Sequence, residues 1–297
     1  MDYPYYKNYI ILSKLKKDFK SFKNSSVKKL ESNKNQCLVQ FIVDTNKYSK
    51  ITDYFSEECR VKCSFRNFLP PIIKFQKIKD QLPDTKDYWK IEEFLYQNAR
   101  GCNNFNIQVV LAVLRHFRVS KYLDFSSGWG DRLVGAIAYG CEYQGIDPSE
   151  CMETKYKKII NTLATKKEKY NVKKIGFEDY HPKKNYYDLV FTSPPFFDLE
   201  IYENTKSQSI QKFNTFKKWK EGFLFKSIEK SYQALIKGGH FALYISDYTT
   251  ENGKKMSYIN ETKIFSKKIG MKYLGYICFS DKKNTNKVRK IYVWKKV

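Results

Sequence analysis

Three histidines in 297 residues leave little material for a histidine metal centre or a histidine acid–base relay. Cysteine is no more promising. The seven cysteines (37, 59, 63, 102, 141, 151 and 278) include no CxxC pair. Cys59 and Cys63 stand at a helical spacing with no second pair or nearby histidine to complete a zinc site. The expectation is free buried thiols in a reducing compartment and no bound metal. No apolar run approaches the roughly 20 residues of a membrane span. Met1-Asp2-Tyr3-Pro4 does not open a signal peptide, which points to a cytoplasmic or nuclear protein without a membrane partner. Acidic residues are the last scarcity: 31 Asp and Glu face 55 Lys and Arg, a net charge of +24. Such an excess suits a polyanionic partner, most simply nucleic acid. Lysine outnumbers arginine 48 to 7. AT-rich coding also produces that bias, so charge is only part of the case.

What is present is enough for one large domain with an appendage: 42% hydrophobic and 17% aromatic residues over 297 positions. Residues 1–85 read as a basic N-terminal α+β region, either a nucleic-acid contact or a structural flank. It holds an apolar-lysine helix from Ile10 to Phe19, a strand at 37–43, a helix at 51–58 and a strand at 60–65. Residues 86–297 read as alternating α and β units. Helices are expected at 88–96, 106–117, 131–139, 149–170, 218–237 and 258–269. Strands are expected at 121–124, 142–146, 173–177, 187–192, 240–246, 272–279 and 288–295, with a turn at Gly238-Gly239. This alternation implies a mostly parallel sheet covered on both faces. The last two strands leave no room for a helix between them, so the C-terminal one should run antiparallel.

Chemistry-bearing residues gather at the strand tips. After the first strand, Asp124-Phe125-Ser126-Ser127-Gly128-Trp129-Gly130 is a Gly-x-Gly turn leading into a helix, where free N–H groups meet a ligand. The second strand ends in Asp147, placed to accept from ribose hydroxyls. The third ends in Glu178-Asp179. The fourth, an apolar run from Leu189 to Phe191, stops at Ser193-Pro194-Pro195-Phe196, because two prolines cannot continue a ladder. Four successive C-terminal tips carrying ligand-type residues are far more telling than any one of them.

Over residues 100–297 this set resembles the class I AdoMet-dependent methyltransferases, and among them the amino-methyltransferases of nucleic-acid bases. The resemblance implies a Rossmann-like fold with a seven-stranded, mostly parallel sheet and an antiparallel last strand. It implies S-adenosyl-L-methionine as cofactor, cradled by Asp124, Ser126, Ser127, Gly128 and Gly130. Asp147 would sit at the ribose and Glu178 or Asp179 at the adenine. Ser193, Pro194, Pro195 and Phe196 match the catalytic (Asp/Asn/Ser)-Pro-Pro-(Tyr/Phe/Trp) loop. Ser126 stands where many members have phenylalanine.

The loop suits its implied chemistry. An exocyclic amine is a poor nucleophile because its lone pair is delocalised into the ring. Acceptors at Ser193 and the Pro194 carbonyl would favour a pyramidal nitrogen, and Phe196 would stack on a base swung out of its helix. The implied reaction is methylation of cytosine N4 or adenine N6 in DNA. Alternatives are an RNA base methyltransferase or a non-catalytic subunit that binds nucleic acid. About 65 residues separate the glycine turn from the catalytic loop, too few for a recognition domain. Target contacts are therefore expected from the loops 198–217 and 248–258 and from the N-terminal region, with Lys206, Lys212, Lys217 and Lys218 on the phosphate backbone.

Overall fold

The computed structural model describes residues 2–31, 36–45, 47–65, 68–99, 101–203, 205–250, 253 and 255–297. In chain order it runs α1 (Leu12–Lys23), β1 (Lys28–Leu30), β2 (Cys37–Val43), α2 (Lys50–Arg60), β3 (Ser64–Phe65), α3 (Pro71–Ile78), α4 (Tyr88–Asn98) and α5 (Ile107–Phe117). Next come β4 (Lys121–Asp124), α6 (Asp131–Tyr139), β5 (Glu142–Ile146), α7 (Glu150–Leu163), β6 (Tyr170–Lys173), β7 (Tyr187–Thr192), β8 (Glu200–Ile201), α8 (Ser209–Lys212) and α9 (Phe216–Trp219). A π-helical turn at Lys220–Phe225 leads to α10 (Lys226–Ala234), β9 (Leu235–Leu243), β10 (Tyr248–Thr249), β11 (Lys255–Met256), α11 (Ile259–Lys268), β12 (Met271–Asp281) and β13 (Asn284–Lys296). No helix among the described residues is long and apolar enough to cross a membrane.

The main sheet has the order β1-β2-β12-β13-β9-β7-β4-β5-β6. Strands β6, β5, β4, β7 and β9 are parallel, and β13 is antiparallel to both its neighbours. Alternation along each strand builds two cores. Tyr122, Leu189 and Phe191 face α5 and α6, while Leu123, Val190 and Phe241 face the α9–α11 side. α5 contributes an almost wholly apolar, buried helix, capped by the Asn106 side chain. Each fully buried Val or Leu there contributes roughly 1.5–3 kcal/mol. This is the Rossmann-like methyltransferase fold. Strand order reverses between β4 and β7, the switch point where such sheets hold ligands.

Several boundaries differ from the sequence reading. The sheet has nine strands rather than seven, because β2 pairs parallel to β12 and β1 pairs with β2. The residues before 85 thus extend the same sheet, and Leu15, Phe22 and Phe55 join its core. Helix α2 runs through Arg60, leaving only Ser64–Phe65 of the strand expected at 60–65. α7 ends at Leu163, and the third strand lies at 170–173 rather than 173–177. The single helix expected at 218–237 is divided by the π turn and stops at Ala234. β9 starts at Leu235, and the expected turn at Gly238-Gly239 is a bulge within that strand, with Gly238 at φ +81.

The free-thiol expectation is overturned for six cysteines. Cys59–Cys151, Cys63–Cys102 and Cys37–Cys278 form disulfides, and only Cys141 remains as a buried thiol. These partners lie 92, 39 and 241 residues apart, so linear spacing carries no trace of the pairing.

Candidate active site

The tips of β4, β5, β6 and β7 surround one open pocket of about 620 Å³, part of it solvent. Its wall includes Ser126 and Gly128 of the glycine turn, Asp147 after β5, Glu178 after β6, and Ser193 and Pro195 after β7. The parallel strands bring Ser126 and Pro195, 69 positions apart in sequence, to one place. Six of the twelve expected catalytic and cofactor residues line the cavity itself.

The turn owes its shape to a buried frame behind it. Asp124 is fully buried and faces inward. It accepts from Arg132 Nε at 2.8 Å, from the Tyr143 hydroxyl at 2.9 Å and from the Ser126 backbone N–H at 3.3 Å. Arg132 also donates to the Ser126 carbonyl. Ser127 is likewise behind the wall, within 3.1 Å of the Tyr143 hydroxyl. Asp124 and Ser127, expected as cofactor contacts, are therefore supports of the turn and not part of the cavity wall. Gly130 is also off the wall. It adopts φ +90, a conformation that favours glycine, and a Cβ there would lie 2.6 Å from the terminal methyl of Ile159 on α7.

Asp147 closes the turn from the second strand. Its carboxylate accepts from the Gly128 N–H at 2.7 Å and the Ser149 N–H at 3.0 Å. Burial pushes its pKa up to about 6, against those two hydrogen bonds, which pull it down. Glu178 is buried, and it curls back over Gly176, where a Cβ would lie 2.5 Å from its carboxylate. Lys212 donates to Glu178 at 2.6 Å and to Asp179 at 2.6 Å. That bond holds the Asp179 carboxyl below its ordinary value and outside the cavity wall.

On the fourth tip, Ser193 and Pro195 reach the cavity while Pro194 and Phe196 do not line it. The Phe196 ring lies edge-on to Tyr258 with centroids 6.3 Å apart. Phe197 adopts φ +35, a left-handed conformation rare for an aromatic residue, and is wedged against Phe216 and Trp219. Strain held by packing at a ligand-lining loop is characteristic of functional sites.

The sequence reading missed the rest of the wall. Phe125, Trp129, Met152 and Phe177 supply apolar surface, and Phe223 reaches in from the π-helical turn. More unexpected is the segment from Tyr202 to Ser209. The 198–217 loop was expected to reach for a target, yet this part folds over the cavity. Glu203 accepts from the Ser149 hydroxyl and the Glu150 and Cys151 N–H groups, tying it to the start of α7. Tyr202 packs on Trp129 at 5.5 Å, and Lys212 fastens the other end to Glu178. Between these ties Gln208 is buried on the cavity wall. No spacing in the sequence signals this closure, since it depends on two long-range ties.

Of the four lysines expected on a nucleic-acid backbone, Lys206, Lys217 and Lys218 are exposed, whereas Lys212 is committed to the two acids. In the other expected contact loop, positions 251, 252 and 254 lie outside the described residues, as does position 204.

The cavity's donor set fits an adenosyl ligand with an amino-acid tail. The glycine turn would take the tail, the buried Asp147 carboxylate vicinal hydroxyls, and Glu178 with Phe177 a planar ring. No family model matches the chain, and no curated protein matches it. Solved structures similar to it include a methyltransferase from Pyrococcus furiosus (18% identity, 65% of this chain and 83% of that one, TM-score 0.42). Others are the 1,6-didemethyltoxoflavin-N1-methyltransferase of Burkholderia thailandensis with bound S-adenosylhomocysteine (10%, 75% and 86%, 0.44) and the CcbJ methyltransferase of Streptomyces caelestis (11%, 64% and 89%, 0.44). Identities and scores this low carry nothing about cofactor or substrate, for which the cavity itself is the guide.

Proposed function

We propose that this protein transfers a methyl group from S-adenosyl-L-methionine to the exocyclic amine of a base in DNA, cytosine N4 or adenine N6. One observation carries the reading: Ser193 and Pro195 stand on the same cavity wall as the glycine turn, Asp147 and Glu178. S-Adenosyl-L-methionine, when bound, supplies an electrophilic sulfonium methyl. Asp147 and Glu178 hold the nucleoside half, and the turn at Ser126–Gly128 holds the amino-acid half. The Ser193 hydroxyl accepts from the target amine, which concentrates its lone pair on nitrogen and aims it as it displaces the sulfonium methyl. The stiff Pro-Pro backbone keeps that acceptor in place, and the methylated nitrogen gives up its proton to water. The net charge of +24 and the exposed Lys206, Lys217 and Lys218 support a nucleic-acid substrate.

The test is to incubate the protein with methyl-labelled S-adenosyl-L-methionine and either DNA or RNA, then digest the polymer to nucleosides. Label in N4-methylcytosine or N6-methyladenine from DNA is the expected result. Label found only in RNA bases overturns the DNA assignment, and label in neither polymer overturns the base-methylation reading.

A further inference from the structure

Trp89 is 57% exposed and Tyr9 39% exposed, while the other three tryptophans, 129, 219 and 294, are buried. Large aromatic rings in water on one surface call for a reason. These two share a ring cluster. Tyr88 is buried at the start of α4, and its hydroxyl donates to Glu57 at 3.1 Å. Around that fixed ring sit Tyr6, Tyr9 and Trp89, with centroids 4.9, 5.2 and 6.4 Å away. The cluster forms one wall of an open groove of about 1200 Å³, part of it solvent. α1 and Tyr48 form the other wall, joined by the contact of Ser21 Oγ with the Tyr48 hydroxyl at 2.9 Å.

The groove's charges favour an anionic occupant. Lys14, Lys47, Lys50 and Lys86 line it against Asp18 and Asp87. Lys50 is committed to Asp53 and Glu92, Lys14 faces Asp18 at 3.5 Å, and Asp87 caps α4 by accepting from the Trp89 N–H. Lys47 and Lys86 are exposed and have no ion pair among the described residues. Exposed rings beside unpaired ammonium groups form a stacking platform with phosphate contacts. Bases in a duplex already stack on one another and offer no free face, so the matching occupant is a single strand.

We propose that the N-terminal groove between α1 and α4 binds single-stranded nucleic acid, with Trp89 and Tyr9 stacking on bases and Lys47 and Lys86 contacting phosphates. The inference rests on the reading of a nucleic-acid partner but not on methyl transfer. α2 connects the groove to the cofactor cavity: Lys50 and Ile51 line the groove, and Cys59 is bonded to Cys151, beside Met152 of the cavity wall. α1, α2 and α4 then serve as a nucleic-acid-holding surface as well as a flank.

Trp89 makes the proposal directly measurable, because it is the one exposed tryptophan of four. Titrating the whole protein with a short oligothymidylate, without cofactor, should quench its fluorescence. Trp89→Phe should lose the quench while keeping most of the affinity measured by fluorescence anisotropy of a labelled oligonucleotide. Trp89→Ala and Tyr9→Ala should each weaken binding on the order of tenfold. Lys47→Ala with Lys86→Ala should lower the salt dependence by about 1.4 units. An unchanged affinity in Trp89→Ala, or tighter binding of a duplex of equal length, overturns the proposal. A protein that binds the single strand but labels no base leaves the groove standing and removes only the methyl-transfer reading.

Discussion

The two sides of the cavity at the strand tips are held in opposite ways. On the β4–β5 side, the glycine turn rests on a fully buried frame of Asp124, Arg132, Tyr143 and Ser127. On the β7 side, the strap is held at two points, by Glu203 on α7 and by Lys212 on Glu178, with Gln208 and Ser209 buried between them. Buried ionic frames are costly to disturb, because removing one partner leaves an uncompensated charge in low dielectric. Ties near the surface are weaker and screened. One wall is therefore a fixed cradle, and the facing wall is a strap that opens at modest cost. A cavity that must exchange a ligand needs that asymmetry.

The comparison breaks most sharply at Arg132. Arg132→Ala should destabilise the protein by about 3–5 kcal/mol, read from denaturant unfolding, because Asp124 is left buried and unpaired. Loss below about 1 kcal/mol would mean that the frame does not hold the turn. On the strap side, Ser193→Ala should leave stability and S-adenosyl-L-methionine affinity unchanged while kcat falls on the order of a hundredfold, the scale for losing one positioned hydrogen-bonding group. Calorimetry alongside the methylation assay separates the two effects. Equal loss of cofactor binding would contradict the assigned role.

Protonation of Asp147 sharpens the contrast from the cradle side. Its folded pKa of about 6 lies above its ordinary 3.8. The folded state therefore holds the proton more tightly, and Asp147's contribution to stability declines as pH rises through that window. Cofactor affinity should move the other way, since only the carboxylate accepts from two hydroxyls. Affinity measured by calorimetry should fall up to tenfold per pH unit below about 6, and Asp147→Asn should abolish that dependence. The smallest effect belongs to Glu203→Ala. Loss of the α7 cap should cost about 1 kcal/mol of stability. It should also raise the cofactor dissociation rate in stopped-flow experiments, whereas an unchanged rate would show that the strap does not retain the ligand.

Much of this was legible in the chain. Strand 121–124, helix 131–139, strands 142–146 and 187–192 lie where apolar runs, glycines and prolines put them, because those are local signals. The four ligand-bearing tips followed from that alternation. The inward turn of Asp124 did not, since an acid at a strand tip reads the same whether it faces a ligand or an arginine eight residues on. Lys212 read as a free cation in a polar loop, and its attachment to Glu178 crosses 34 residues. The lysine-rich start read as a tail or flank. Tyr9, Tyr48 and Trp89 become one groove only when α1 and α4 pack beside α2.

Sequence alone determined the alternation from strand 121–124 through helix 131–139 to strand 142–146, the glycine turn, and the Ser-Pro-Pro stop, because each depends on what neighbouring residues permit the backbone to do. Tertiary structure decided which polar groups face the cavity and which brace it. It also decided that β1 and β2 widen the sheet, that six cysteines pair, and that Tyr202 and Ser207–Ser209 close the site. All of these are contacts between distant segments, set by burial, charge pairing and strand register rather than by local preference.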